Sequence, residues 1–176
     1  MIQLAARERA LDYPATHRVM TLATHGPGGP WAAAVFYAND GFALYFLSSP
    51  LSRHGRNLAA QAEVAATVQE DYADWREIKG IQLEGTVREL SGAEEISARK
   101  LYGQKFPVVA KTASAPVAID AALARVRWYR LAATRAYFVD NSASFARFCS
   151  CWNPASASSS VGLGITAHSL TENVTH

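Results

Sequence analysis

Apolar and polar residues alternate along much of the chain, and a few sharp breaks divide the alternation into strands. Residues 2–13 have a different period. Leu4, Ala5, Ala10 and Leu11 share one side, which predicts a short amphipathic helix. Residues 17–25 read as a strand carrying Val19, Met20, Leu22 and Thr24, and the run Gly26–Pro27–Gly28–Gly29–Pro30 ends it. Residues 31–38 form a second predicted strand. Asn39–Asp40–Gly41 is a hairpin turn, because these residues tolerate positive φ, and residues 42–47 form the third strand. The stretch therefore reads as a β-meander.

Ser52 is a good N-cap for a helix over residues 53–62. Residues 64–68 are a short strand, and residues 71–76 a polar connection. Residues 78–90 form a long strand with Ile81, Leu83, Gly85 and Val87 on one side and Gln82, Glu84, Thr86 and Arg88 on the other. Ser91 and Glu94 have the spacing of a capping box that opens a helix over residues 91–104, and Pro107 closes it. A loop with a helical patch at 120–124 leads to two last strands, 126–131 and 135–139. Six or so strands, mostly sequential, with turns between the first three, predict an antiparallel barrel with short peripheral helices rather than a doubly wound α/β sheet. One domain is expected over residues 1–148. Residues 149–176 are rich in Ser, Ala and Thr and are expected to pack little.

Composition narrows the function classes. A chain of 176 residues with a net charge of +2 and no long basic run gives no footprint for nucleic acid. No apolar run approaches the roughly 20 residues that cross a bilayer. The charged start, with Arg7, Glu8 and Arg9, lacks the apolar centre of a signal peptide, so a cytoplasmic setting is expected. Cys149 and Cys151 are too close for an ordinary disulfide and have no companion ligands for a metal, so they read as free thiols.

The chemistry concentrates where the third strand meets the following helix, at Ser48–Ser49–Pro50–Leu51–Ser52–Arg53–His54. A first helical turn has free N–H groups and a positive dipole end, which favour an anion. The Ser hydroxyls can donate to phosphate oxygens, Arg53 can bind bidentately, and His54 can carry a proton. The same segment is also compatible with a plain capped helix. Trp31–Ala32–Ala33–Ala34–Val35–Phe36–Tyr37 is unusual for a strand, because alanine is disfavoured there. A flat ring lying against the backbone is one reason for such a run; a tight core is another.

In order and spacing these segments resemble the pyridoxamine-phosphate oxidase-like FMN-binding split-barrel superfamily. The resemblance covers about residues 16–145. It rests on Thr21–Leu22–Ala23–Thr24 with Gly29–Pro30–Trp31, on Leu44 through Leu58, on Ile78 through Val87, on Ala98–Arg99–Lys100–Leu101–Tyr102 with Phe106–Pro107, and on Tyr129 through Phe145. It implies a mainly β, six-stranded split barrel of Greek-key type and a homodimer with FMN at the interface. It implies that Ser48, Ser49, Ser52, Arg53 and His54 hold the phosphate. It also implies that Ala33, Ala34, Val35, Phe36 and Tyr37 line the flavin, and that Lys79, Gly80 or Gln82 approach it. The implied activity is flavin-dependent oxidoreduction of a small molecule by hydride transfer. A non-catalytic carrier or sensor of flavin, deazaflavin or haem is the alternative, with His17, His25 and His54 as the histidines available. The basic, histidine-bearing C-terminal strand of the oxidases that act on pyridoxamine phosphate has no counterpart, since Ala146–Arg147–Phe148 follows Phe145. That specific activity is not assigned. A hydrolase is disfavoured by the lack of a Gly-x-Ser-x-Gly elbow.

Overall fold

Alternating apolar positions need a covered face, and here one curled sheet covers itself. The computed structural model describes residues 2–107 and 125–142, with side chains from residue 8 onward. The strands are β1 (Val19–Gly26), β2 (Gly29–Phe36), β3 (Ala38–Asp40), β4 (Ala43–Ser48), β5 (Glu63–Gln69), β6 (Lys79–Glu89) and β7 (Arg127–Asp140). The helices are α1 (Ile2–Thr16), α2 (Arg53–Ala60) and α3 (Gly92–Lys105), with a 3-10 turn at Trp75–Glu77. All strand pairs are antiparallel, in the order β2-β1-β5-β6-β7-β4-β3. The sheet curls into a half-barrel that brings β2 towards β4.

The inward face carries the core. Met20, Leu22, Leu44, Phe46, Val68, Ile81, Leu83 and Leu131 are fully buried. Each such side chain contributes roughly 1.5–3 kcal/mol by leaving water. Ala10, Leu11 and Tyr13 of α1 close one side of this core. A second cluster, Ala38, Leu90, Ala98, Tyr102 and Trp128, lies under α3.

The split-barrel expectation holds, with three corrections. The sheet has seven strands rather than six: Ala38–Asp40 forms a short strand of its own, so Asn39 and Asp40 pair with β4 and the turn between the two strands is Gly41–Phe42. Gly41 supplies the positive φ of 55° that this turn needs. The second and third strands of the expected meander are consequently not neighbours, since β2 and the β3–β4 hairpin occupy opposite ends of the sheet order. The two expected last strands are one, β7. Its Ala132–Ala133–Thr134 stretch carries a bulge instead of a break: Glu84 pairs with Arg135 and Gly85 with Ala133, so Thr134 is left over. The Thr134 hydroxyl donates to the Glu84 carbonyl at 3.2 Å. At Gly85 a Cβ would stand 2.3 Å from the Ala132 carbonyl oxygen, so the close approach at the bulge excludes a side chain.

The helices differ in detail from expectation. α1 continues through Pro14 to Thr16, and the buried Pro14 carbonyl accepts from Tyr37 Oη at 2.7 Å and Lys105 Nζ at 3.1 Å. α2 ends at Ala60, two residues early. The capping box at α3 does not form. Ser91 makes no side-chain cap bond, and Glu94 instead pairs bidentately with Arg88 at 2.5 and 2.7 Å. The expected helical patch at 120–124 and the Ser-rich tail lie outside the described residues. Among the described residues no helix is long and apolar enough to cross a membrane.

Candidate cofactor site

Alternation on β4 turns Ser48 inward at the strand's end, where the chain folds back into α2. There Ser48 Oγ lies 2.5 Å from His54 Nε2 and 3.4 Å from Ser52 Oγ. Ser52 caps α2: its Oγ accepts from Gly55 N at 3.0 Å and donates to the Ser49 carbonyl at 2.7 Å. Ser49 Oγ accepts from Leu51 N at 3.2 Å, which sets the turn. The first intrahelical bond is Arg56 N to the Ser52 carbonyl, at 3.0 Å, so the N–H groups of Arg53 and His54 have no helical acceptor. Gly55 permits this tight fold, since a Cβ there would stand 2.4 Å from the Ser49 carbonyl oxygen. The result is a cradle of two hydroxyls, an imidazole and helix-end N–H groups, suited to a phosphate oxygen set. Burial lowers the His54 pKa below the ordinary histidine value.

The neighbouring turn is tied to the cradle. Arg53 Nη2 donates to the Gly28 carbonyl at 2.5 Å, and the guanidinium lies 4.6 Å over the Trp31 ring. Arg56 Nη1 donates to the Leu51 carbonyl at 2.6 Å. Deeper in, buried Asn57 Nδ2 donates to buried Thr24 Oγ1 at 3.1 Å and locks α2 onto β1. Gly26 makes room for that amide, because a Cβ there would lie 2.2 Å from Asn57 Oδ1.

The predicted residues are thus only partly brought together. Ser48, Ser52 and His54 converge, Ser49 shapes the turn, and Arg53 holds the β1–β2 turn. On β2 the period of two divides the proposed flavin wall. Val35 and Tyr37 point into the core and Ala33 is half-buried, while Ala34 and Phe36 are exposed. Tyr37 N donates to the Arg18 carbonyl at 3.0 Å, which fixes the pairing phase. In that phase the N–H and C=O groups of Ala32, Ala34 and Phe36 face the open edge of the sheet. Lys79, Gly80 and Gln82 are remote. Ser48 pairs with Arg127 at the start of β7, and Lys79 pairs with Asp140 at its end. At about 3.3 Å per residue, the two positions are roughly 40 Å apart along the strand.

The sequence reading missed two parts of this arrangement. One is the Thr24–Asn57–Gly26 lock. The other is an outward face of small residues, with Ala34, Thr21 and Thr67 in one cross-strand row and Ala32, Ala23 and Ala65 in the next. Part of that face forms an open groove of about 410 Å³ that reaches Gln82 and Tyr137. Alternation within 21–25 and 63–67 carries this signal, but only once the pairing is known.

A profile of the pyridoxamine 5'-phosphate oxidase family matches residues 6–140. The chain belongs to this family. Within it, the chain is similar to UPF0306 protein YhbP of Salmonella schwarzengrund (strain CVM19633), with 39% identity over 105 residues, 58% of this chain and 71% of that one. The fold is similar to that of a heme binding protein from Mycobacterium smegmatis, with a TM-score of 0.65, 24% identity, and coverage of 84% of this chain but only 57% of that one. It is also similar to a FAD-binding protein from Mesorhizobium loti, with a TM-score of 0.56, 19% identity, and coverage of 73% and 90%. Family membership thus accounts for the fold, and the cradle sits inside the matched region.

Proposed function

We propose that the protein binds FMN and acts as a flavin-dependent oxidoreductase on a small molecule, as a cytoplasmic homodimer. The observation that carries this reading is the convergence of Ser48, Ser52 and His54 at the first turn of α2. Its donor set fits a phosphate: the Ser48 hydroxyl, an imidazole and helix-end N–H groups on a turn that Ser52 caps. The open edge of β2 and its exposed small side chains fit a planar ring with a polar rim. FMN, when bound, supplies hydride-transfer chemistry. The chain's own residues bind and orient it. Ser48 donates to a phosphate oxygen, Ser52 caps α2 and so sets the first turn, and Arg53 adds positive charge and keeps the β1–β2 turn against α2. Asn57 fixes the helix that carries them.

A second copy completes this reading. Lys79, Gly80 and Gln82 are too remote to serve the cradle of their own chain. In a two-fold dimer joined through the small-residue face, the partner can bring them to it. The FAD-binding relative supports a flavin.

The heme-binding relative favours a second reading, a haem carrier. Its candidate ligand is His25, exposed at the end of β1, because His17 and His54 are engaged with Glu70 and Ser48. Absorption spectra recorded after adding FMN, a deazaflavin or haemin separate these readings. The flavin reading predicts a shifted, saturating flavin spectrum. A Soret band that shifts on haemin addition and is lost in His25→Ala, with no change on FMN addition, overturns it.

A further inference from the structure

The cradle has an unusual charge arrangement. Arg53 and Arg56 stand on the same helix, but both guanidiniums are engaged elsewhere, on the Gly28 carbonyl and Trp31 ring and on the Leu51 carbonyl. Arg127, beside Ser48 on β7, is paired with Glu89 of β6 at 3.5 Å. On β1 the charge-bearing side chain towards this end is the exposed His25. His54 is therefore the cationisable group held against the Ser48 hydroxyl, which in turn meets Ser52. It is half-buried, and Ser48, 7% exposed, is pressed against its Nε2.

We propose that His54 is a proton-gated cation of this cradle: it takes up one proton from solvent as a phosphate monoester enters beside Ser48 and Ser52, and returns it when the phosphate leaves. In the ligand-free cradle a neutral ring, protonated at Nδ1, accepts the Ser48 O–H at Nε2. Once a phosphate is present, Nε2–H donates to it, and the Ser48 hydroxyl turns to a second oxygen. Burial disfavours the imidazolium until that anion arrives. The proton balance closes with one proton bound per phosphate bound. Affinity for a phosphate monoester then falls as pH rises through the range between the free and ligand-bound values of the ring. This inference rests on the flavin reading and adds regulation of the same site by pH.

The test compares FMN with riboflavin, which lacks the phosphate, by fluorescence quenching between pH 6.5 and 8.5. Phosphate monoesters have lost most of their second proton above pH about 6, so the ligand's own titration contributes little there. The expected result is an FMN Kd that rises several-fold per pH unit, up to about tenfold, while the riboflavin Kd stays level. In His54→Lys the FMN profile should become level and tight, and calorimetry in two buffers of different ionisation enthalpy should no longer show proton uptake. A level FMN profile for the wild-type chain overturns the gating and leaves the flavin reading standing. No binding of either flavin at any pH overturns both.

Discussion

Replacing Gly26 by Ala tests the lock that holds the cradle helix on the barrel. The new Cβ would lie 2.2 Å from Asn57 Oδ1 and 2.7 Å from its Cγ, so the amide must retreat by about 1 Å or more. Asn57 is only 5% exposed and is tied to Thr24, so it has little room to yield. Overpacking of this kind costs about 1–3 kcal/mol. Loss of glycine's freedom in the unfolded chain offsets about 0.4–1 kcal/mol, because Gly26 does not have a positive φ. A net loss of about 1–2 kcal/mol follows. Asn57→Ala removes a buried hydrogen bond and should cost about 1–3 kcal/mol. The two changes should not add. With the amide gone, the methyl group introduced by Gly26→Ala enters the vacated space, and the double variant should recover about 1–2 kcal/mol relative to the sum. Urea denaturation of the four proteins, at unchanged m-value, measures this. Additivity within about 0.3 kcal/mol would refute the lock.

Other perturbations probe the same framework. Arg53→Ala frees the β1–β2 turn that its guanidinium holds at the Gly28 carbonyl and should weaken FMN binding by less than the about 1.5–3 kcal/mol of a direct hydrogen bond to a charged group; a loss of that full size by fluorescence titration would show Arg53 on the phosphate itself. Tyr37→Phe loses the buried bond to the Pro14 carbonyl and should lower stability by about 0.5–1.5 kcal/mol, read from the urea midpoint. Burial, aided by Arg18, brings the Lys105 pKa down to about 8. Above that pH the folded state releases this proton while the unfolded chain still holds it, so Lys105 contributes stability that rises from pH 8 towards 10. Lys105→Met should flatten that part of the stability–pH curve, and an unchanged curve would contradict it.

Much of this was legible in the sequence, and the failures have physical causes. The alternation of β6 and the break after Gly26 located strands well, because period and turn chemistry are local, whereas the expected Asn39–Gly41 turn fell on β3 and the strand expected over 31–38 ran past the end of β2. Pairing is not local. Nothing in residues 31–47 shows that β2 and β4 stand at opposite ends of the sheet order, and that arrangement depends on the crossing through buried Tyr37. Ala132–Ala133–Thr134 looked like a strand break because its bulge depends on Gly85, a residue far away in the chain. At the site, the Ser52 cap was readable from residue type and position. The Ser91–Glu94 box was equally readable but lost to a better partner, since Arg88 on β6 offers Glu94 a bidentate pair. Arg53 reads as a phosphate ligand by chemistry alone, while its hold on Gly28 needs the folded turn.

In the proposed function the cradle at the start of α2 holds the phosphate of FMN. Quenching of FMN fluorescence by the purified chain tests it most directly. Saturable binding with a Kd in the micromolar range or tighter is expected, at one FMN per chain, weakened in Ser52→Ala. Absence of saturable quenching, or affinity that Ser52→Ala leaves unchanged, would contradict it.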